Sequence, residues 1–205
     1  MNRIRIHAVV MFTALALLSC AGEQPYDPLK DYEQLNITTV IDAPGPEPGR
    51  YSAIDRDAID RGEYLVELLG CGVCHTNGAF DGAPDLNSLL AGSQTGIAWE
   101  SPLGVERPGV VYPPNITPDE ETGIGLWSDN QVADALSAGI GRHGSRRIAA
   151  MPWQGYAKLT SDDVDAIVAY LKSIRPIRHM IPDPVQPGQK ASEPYVYFGV
   201  YRSKQ

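Results

Sequence analysis

Two thiols and an imidazole stand together in Cys71-Gly72-Val73-Cys74-His75, and their types and spacing define the first chemistry to consider. A C-x-x-C pair followed at once by histidine is the spacing that attaches a c-type haem. Each thiol forms a thioether to one vinyl group, and the adjacent imidazole reaches the iron. Thioredoxin-like dithiols and half zinc sites also use two cysteines at this spacing. Here no strand-helix-strand pattern flanks the pair, and no second Cys or His pair follows at finger spacing. The small Gly72 lets the backbone bend between the thiols. These five residues point to one covalently held haem, with His75 as a metal ligand.

An iron bound by one histidine takes its other axial ligand from Met, His or solvent. Beyond the first 20 residues the chain offers Met151, Met180, His143 and His179. Met151 stands before Pro152, in a loop between two expected helices. Met180 and His179 lie past the last helix, and His143 sits in the glycine-flanked run Gly141-Arg142-His143-Gly144, which reads as exposed loop. Met151 is either a gap-filling core side chain or the ligand. His/Met ligation in a dry pocket raises the reduction potential and leaves no open position for a substrate. Behind His75, a carbonyl in Ala83-Pro84-Asp85-Leu86 is in range to accept the proton of the far ring nitrogen, which fixes the tautomer. An ordinary turn proline is equally consistent with Pro84.

Three helices are needed to position these groups. The first is expected from Asp57 to Leu69, with Ala58, Gly62, Leu65 and Leu69 on one face and acids in the opening turn. Gly62 weakens a helix relative to alanine, so its place in the pattern implies a close helix crossing. Gly70 ends the helix and delivers the chain to Cys71. A second helix follows Trp127, where Ser128-Asp129-Asn130-Gln131 spells a capping box and Val132, Leu136 and Ile140 form the stripe that Gly139 and Gly141 close. The third starts at Thr160, with Asp163 completing another capping box, and runs through Val164, Ile167, Val168, Leu171 and Ile174 until Arg175-Pro176 stops it. Residues 76–126 lack helical period and read as a long excursion over the cofactor with no core of its own. After the last helix come four prolines and Tyr195, Tyr197, Phe198 and Tyr201, expected to lie back over apolar surface.

The chain has 205 residues, which suits one domain with extra segments. Its 20 Gly and 17 Pro imply much loop. At the N-terminus, Arg3, Arg5 and His7 precede the apolar run Ala8 to Leu18, a basic and then hydrophobic leader of signal-peptide size, too short to span a bilayer. Leu17-Leu18-Ser19-Cys20 resembles a bacterial lipobox, which implies removal of residues 1–19 and lipid attachment at Cys20. The Pro-rich, acidic stretch 20–50, with Pro44-Gly45-Pro46-Glu47-Pro48-Gly49, reads as a tether. With Cys20, Cys71 and Cys74 all assigned, no pair remains for a structural disulfide. The formal charge is -8, and loss of the leader removes two arginines and no acid. This balance argues against nucleic acid as a partner, whereas a basic docking face on a redox protein is favoured.

The haem motif, the Met-Pro loop and a terminal helix containing Ala169-Tyr170-Leu171-Lys172 together resemble a class I cytochrome c. The resemblance implies a mainly α cytochrome c fold, a small helical domain around a covalent haem with long loops. It implies a crossing of the first and last helices at Gly62 against Tyr170. It also implies the proline carbonyl at Pro84, with Leu86 packing on the ring, and ligation by Met151. A narrower likeness covers residues 113–176: Asn115-Ile116-Thr117-Pro118-Asp119, Glu121-Thr122-Gly123-Ile124-Gly125, Trp127, Ala150-Met151-Pro152 and Tyr156-Ala157-Lys158-Leu159-Thr160 are similar to the cytochrome subunits of membrane-bound alcohol and gluconate dehydrogenases. Those subunits carry three haem motifs, and this sequence carries one. The organisation expected is a leader at 1–19, a tether at 20–50, a cytochrome domain at 51–176 and an extension at 177–205 packing on it. The function expected is single-electron transfer between a periplasmic or membrane dehydrogenase, or a quinol-oxidising respiratory complex, and an acceptor, from a lipid anchor in the bacterial cell envelope. Arg142, Arg146 and Arg147 are candidates to meet haem propionates or the partner. A haem peroxidase or oxidase with a displaceable Met151 is the competing reading. The acidic run Asp119-Glu120-Glu121 reads as a solvated turn, lacking calcium-loop spacing.

Overall fold

The computed structural model describes residues 41–99, 109–144 and 150–198. The leader, Cys20, Arg146, Arg147 and Tyr201 lie outside the described residues. All described residues belong to one compact unit.

Helix α1 spans Arg56–Leu68 and is led in by a short 3-10 turn, Ala53–Asp55. Its buried face is Ile59, Gly62, Leu65 and Val66. Ala58, expected on that face, is exposed. The stripe is rotated by one residue because Ile59 brings far more apolar surface to the core than an alanine methyl does. Gly70 adopts a left-handed conformation at φ +67°, closing the helix with bonds from Leu69 N to Leu65 O and Gly70 N to Glu67 O. The chain re-enters helix at once as α2, Cys71–His75.

Helices α3 (Asp129–Ser137), α4 (Trp153–Tyr156) and α5 (Ser161–Ser173) follow. The Ser128 capping box forms in full: Ser128 Oγ accepts from Gln131 N, and Ser128 N donates to Gln131 Oε1. At α5 only half of the expected box forms. Thr160 Oγ1 accepts from Asp163 N, but the Asp163 carboxylate turns to Arg61 of α1 at 2.9 Å. Val164, Ile167, Val168, Leu171 and Ile174 are all buried, as the apolar pattern predicts. Ile140 falls beyond the end of α3 and is exposed.

Helices α1 and α5 cross at Gly62. A Cβ there would stand 2.1 Å from the Ala166 carbonyl oxygen and 2.6 Å from Tyr170 Cβ, so only hydrogen at this position allows the approach. Tyr170 is fully buried, and its hydroxyl donates to the Pro44 carbonyl at 2.6 Å. That bond, with Glu47 N to Ser173 O and Ala43 N to Glu67 Oε1, seats residues 41–47 on the two helices. This part of the expected tether therefore belongs to the domain, because its backbone groups find partners there.

Residues 76–126 do contribute to a small second core, which the C-terminal extension completes, where a coreless excursion was expected. Strands β1 (Gly96–Trp99), β2 (Gly109–Val111) and β3 (Tyr195–Phe198) make a sheet of order β2-β1-β3. The first pair is antiparallel, with Ile97 opposite Val111; the second is parallel, with Ile97 opposite Val196. Ala98, Val110 and Tyr112 are buried against Ile181, Val185 and Ala191 of the extension. Residues 177–198 thus lie on the domain, although Tyr195 and Tyr197 stay largely exposed instead of covering apolar surface. The strands are short, and one comes from the far end of the chain, so no local period announces them. Among the described residues no helix is long and apolar enough to cross a membrane.

Candidate functional site

In α2 the two thiols are three residues apart, hence on one side of a single helical turn, and His75 follows on the next turn from Cys71. Gly72 is helical and buried, so it provides no bend. A Cβ there would lie 3.1 Å from Ile41 Cβ, and its smallness lets residue 41 press α2 onto the domain. Cys71 and Cys74 are free thiols and half-buried. Burial pushes both upward, Cys71 to about 12 with Cys74 adding to the effect.

Backbone groups hold His75. Its carbonyl accepts from Gly92 N at 2.8 Å, and its Nδ1 lies 2.8 Å from the Pro114 carbonyl. A carbonyl only accepts, so Nδ1 carries the proton and Nε2 is the lone-pair nitrogen, the tautomer that binds a metal.

That geometry corrects the expectation for Pro84. The Pro84 segment is a turn pinned elsewhere, with Ala83 N on Gly78 O, Asp85 N on Asn77 O, and the Asp85 carboxylate accepting from Asn87 N and the Ser88 hydroxyl. Leu86, expected on the ring, is 68% exposed. Pro114-Asn115-Ile116 repeats the spacing of Pro84-Asp85-Leu86, a proline and then an aliphatic two residues on, and Ile116 packs against the main core. That repeated spacing was the available signal.

Met151 is half-buried and packs against the main core, whereas Met180 is 65% exposed. His143 is exposed. His179 Nδ1 is engaged with the Ala91 carbonyl at 2.9 Å. After Met151-Pro152 the chain forms α4, which brings Tyr156 to the haem motif. The Tyr156 hydroxyl donates to Leu69 O at 3.4 Å. Burial, then the proximity of Cys71 and Cys74, raises its phenol to about 12. Trp153 lies on Gly139, where a Cβ would stand 2.8 Å from the indole. The segment that follows Met151 is thus anchored at Gly139 and at Leu69.

Arg142 donates to Leu126 O at 3.2 Å, an assignment within the fold. Asp119 Oδ1 accepts from Glu121 N, Thr122 N and the Thr122 hydroxyl, and Glu121 pairs with Arg178 at 2.7 Å. Asp119 and Glu121 of this acidic loop are engaged within the fold, and among the described residues no group of three or more His, Cys, Asp and Glu side chains could hold a metal ion.

The donor set fits a covalently attached haem: two cysteine side chains on one helical turn, next to an imidazole whose Nδ1 is engaged by a backbone carbonyl. The family model described as Cytochrome c matches residues 59–175. The fructose dehydrogenase cytochrome subunit of Gluconobacter japonicus is 38% identical over 140 residues, 68% of this chain and 26% of that protein. The cytochrome c subunit of the quinone-dependent alcohol dehydrogenase of Gluconobacter oxydans is 36% identical over 124 residues, 60% of this chain and 23% of that one. The gluconate 2-dehydrogenase cytochrome c subunit of Pantoea cypripedii is 34% identical over 112 residues, 55% and 22% respectively. This chain spans about a quarter of the length of these relatives.

Proposed function

The chain belongs to the cytochrome c family, and from that premise we propose that it is an electron carrier in which Cys71 and Cys74 would hold one haem c and His75 and Met151 would ligate its iron. A haem so held supplies a one-electron iron couple. The protein's part is to hold donors still on both sides, so that little rearrangement accompanies transfer. His75 is restrained by the Pro114 carbonyl and Gly92. Met151 offers a neutral, soft thioether, which favours the less charged ferrous form.

The observation that carries this reading is the location of Tyr156. Five residues past Met151, its hydroxyl donates to the carbonyl of Leu69, two residues before Cys71, which supports a Met-Pro loop close to the haem motif. Among the candidate methionines, only Met151 joins the main core.

The similar proteins are named as cytochrome subunits of dehydrogenases. By that likeness the electron donor is a dehydrogenase or a quinol-oxidising complex, reached from a lipid anchor at Cys20 in the cell envelope. Metabolic labelling with a radioactive fatty acid tests the anchor: an unlabelled wild type, or label that persists in a Cys20→Ser variant, would refute it.

Ligation is tested by absorption spectra of the oxidised protein and its Met151→Ala variant. The wild type should show a weak far-red sulfur-to-iron band that the variant lacks. Survival of the band in the variant refutes Met151. Rapid carbon monoxide binding by the reduced wild type would favour an open-site haem enzyme instead.

A further inference from the structure

The Asn115-Ile116-Thr117-Pro118-Asp119 run stands out in the sequence, yet none of its side chains has a place among the proposed haem ligands. Asn115 is 2% exposed and uses its whole hydrogen-bonding capacity. Its Nδ2 donates to the Thr122 hydroxyl at 2.9 Å and to Ile177 O at 2.7 Å. Its Oδ1 accepts from Thr117 N at 2.9 Å and the Thr117 hydroxyl at 2.7 Å. The outer members are tied in turn: the Thr122 hydroxyl donates to Asp119 and accepts from His179 N, and Ile177 N donates to Thr117 Oγ1.

What this network immobilises is one peptide unit. The Pro114 carbonyl that receives the His75 proton is bonded directly to Asn115 N, so a rotation of that peptide plane moves the acceptor off the imidazole. Gly92 backs the same unit closely: a Cβ there would lie 2.7 Å from Asn115 N and 2.8 Å from Pro113 O. The Gly92 amide meanwhile holds the His75 carbonyl, and Ser93 N holds Pro113 O. Backbone contacts fix where the unit sits, and the Asn115 side chain fixes how its plane is turned.

We propose that Asn115 is a positioning residue for electron transfer: by clamping the Pro114–Asn115 peptide it sets the strength of the His75 Nδ1–H bond and thereby the reduction potential. The inference rests on His75 ligating the iron. A strong Nδ1–H bond makes the imidazole a better electron donor, which favours the ferric state. Releasing the clamp weakens that bond and shifts the couple toward ferrous.

The test is the potential of the haem-loaded Asn115→Ala variant, with Thr122→Val and Thr122→Ser as a second pair that leaves Asn115 in place. The expected result for Asn115→Ala is a threefold to tenfold shift of the one-electron equilibrium toward ferrous, tenfold being about 59 mV. Faster solvent exchange of the His75 Nδ1 proton, followed by NMR in the diamagnetic ferrous protein, should accompany it. Thr122→Val should move both readouts in the same direction, and Thr122→Ser, which keeps the hydroxyl, should restore them. Gly62→Ala, a destabilising change outside this network, should leave the potential unchanged. Unchanged potential in variants that keep the low-spin spectrum overturns the positioning role alone, and if Asn115→Ala does not fold, the Thr122 pair decides. A wild-type protein without a low-spin histidine-ligated spectrum overturns the ligation reading and this inference with it.

Discussion

Replacing Gly62 by alanine sets a known gain against a larger steric cost. In a helix interior alanine is favoured over glycine by about 1 kcal/mol, so in isolation the change stabilises α1. In the fold, the added methyl would stand 2.1 Å from the Ala166 carbonyl oxygen, 2.7 Å from its carbon and 2.6 Å from Tyr170 Cβ. Two of these three atoms are backbone of α5, and the third is the root of a fully buried side chain, so no rotamer change relieves the contact. The helices must part by about 1 Å, and a gap of that size forfeits roughly a quarter to a half of the dispersion energy of the atoms facing it. Overpacking of this kind costs about 1–3 kcal/mol and occasionally more. The rigid partners put Gly62→Ala at the upper end, leaving a net loss of about 2 kcal/mol. For a chain of this size that lowers Tm by about 4–8 °C. The assay is thermal unfolding of the haem-loaded protein followed by far-ultraviolet circular dichroism. Gly155→Ala is the control, because no heavy atom lies within 4 Å of a Cβ there; it should be neutral or slightly stabilising. A Gly62→Ala protein within about 0.5 kcal/mol of wild type would refute the crossing argument.

Two further perturbations test the joints around that crossing. The Tyr170 phenol is shifted upward by burial and then by Glu63 and Glu67. An acid raised in the folded state contributes stability that is intact below its unfolded value of 10.0 and lost as pH climbs above it. Tyr170→Phe should flatten this alkaline loss, with Tyr156 leaving a residual slope, and should cost about 1 kcal/mol at neutral pH by leaving the Pro44 carbonyl without its donor. An identical alkaline profile by urea unfolding would contradict it. The Asp163 carboxyl is held below its ordinary 3.8 by hydrogen bonds from Arg61 and Thr160. Its contribution is present above pH 3.8 and fades as pH falls through the lowered value, so Asp163→Asn should reduce the acid-side slope of stability below pH 3.8 without altering the alkaline side. Parallel acid curves for the two proteins would show that the Arg61 pair contributes nothing.

The sequence by itself determined whatever is decided within about one turn of chain. Cys71, Cys74 and His75 declare their chemistry by spacing alone. Ser128 and Gln131 specify a helix start because the cap and its partner are three residues apart. The α5 stripe predicts burial at all five of its named positions. The resemblance to cytochromes c added the Gly62–Tyr170 crossing, which the contact distances support. Choices between equivalent local signals needed the tertiary structure. Pro84 and Pro114 both precede an x-aliphatic pair, and nothing near either one says which carbonyl meets His75. The choice follows from Gly92 and Asn115, which pin the later segment across 39 residues. The strand at 195–198 likewise has no meaning until β1 lies beside it. Residues 41–47 read as a tether until the Pro44 carbonyl meets a buried tyrosine 126 positions away. Local geometry selects caps and periods by contacts a helix makes with itself. A buried carbonyl selects its donor from whatever the packed fold brings within about 3 Å, and no local pattern encodes that choice.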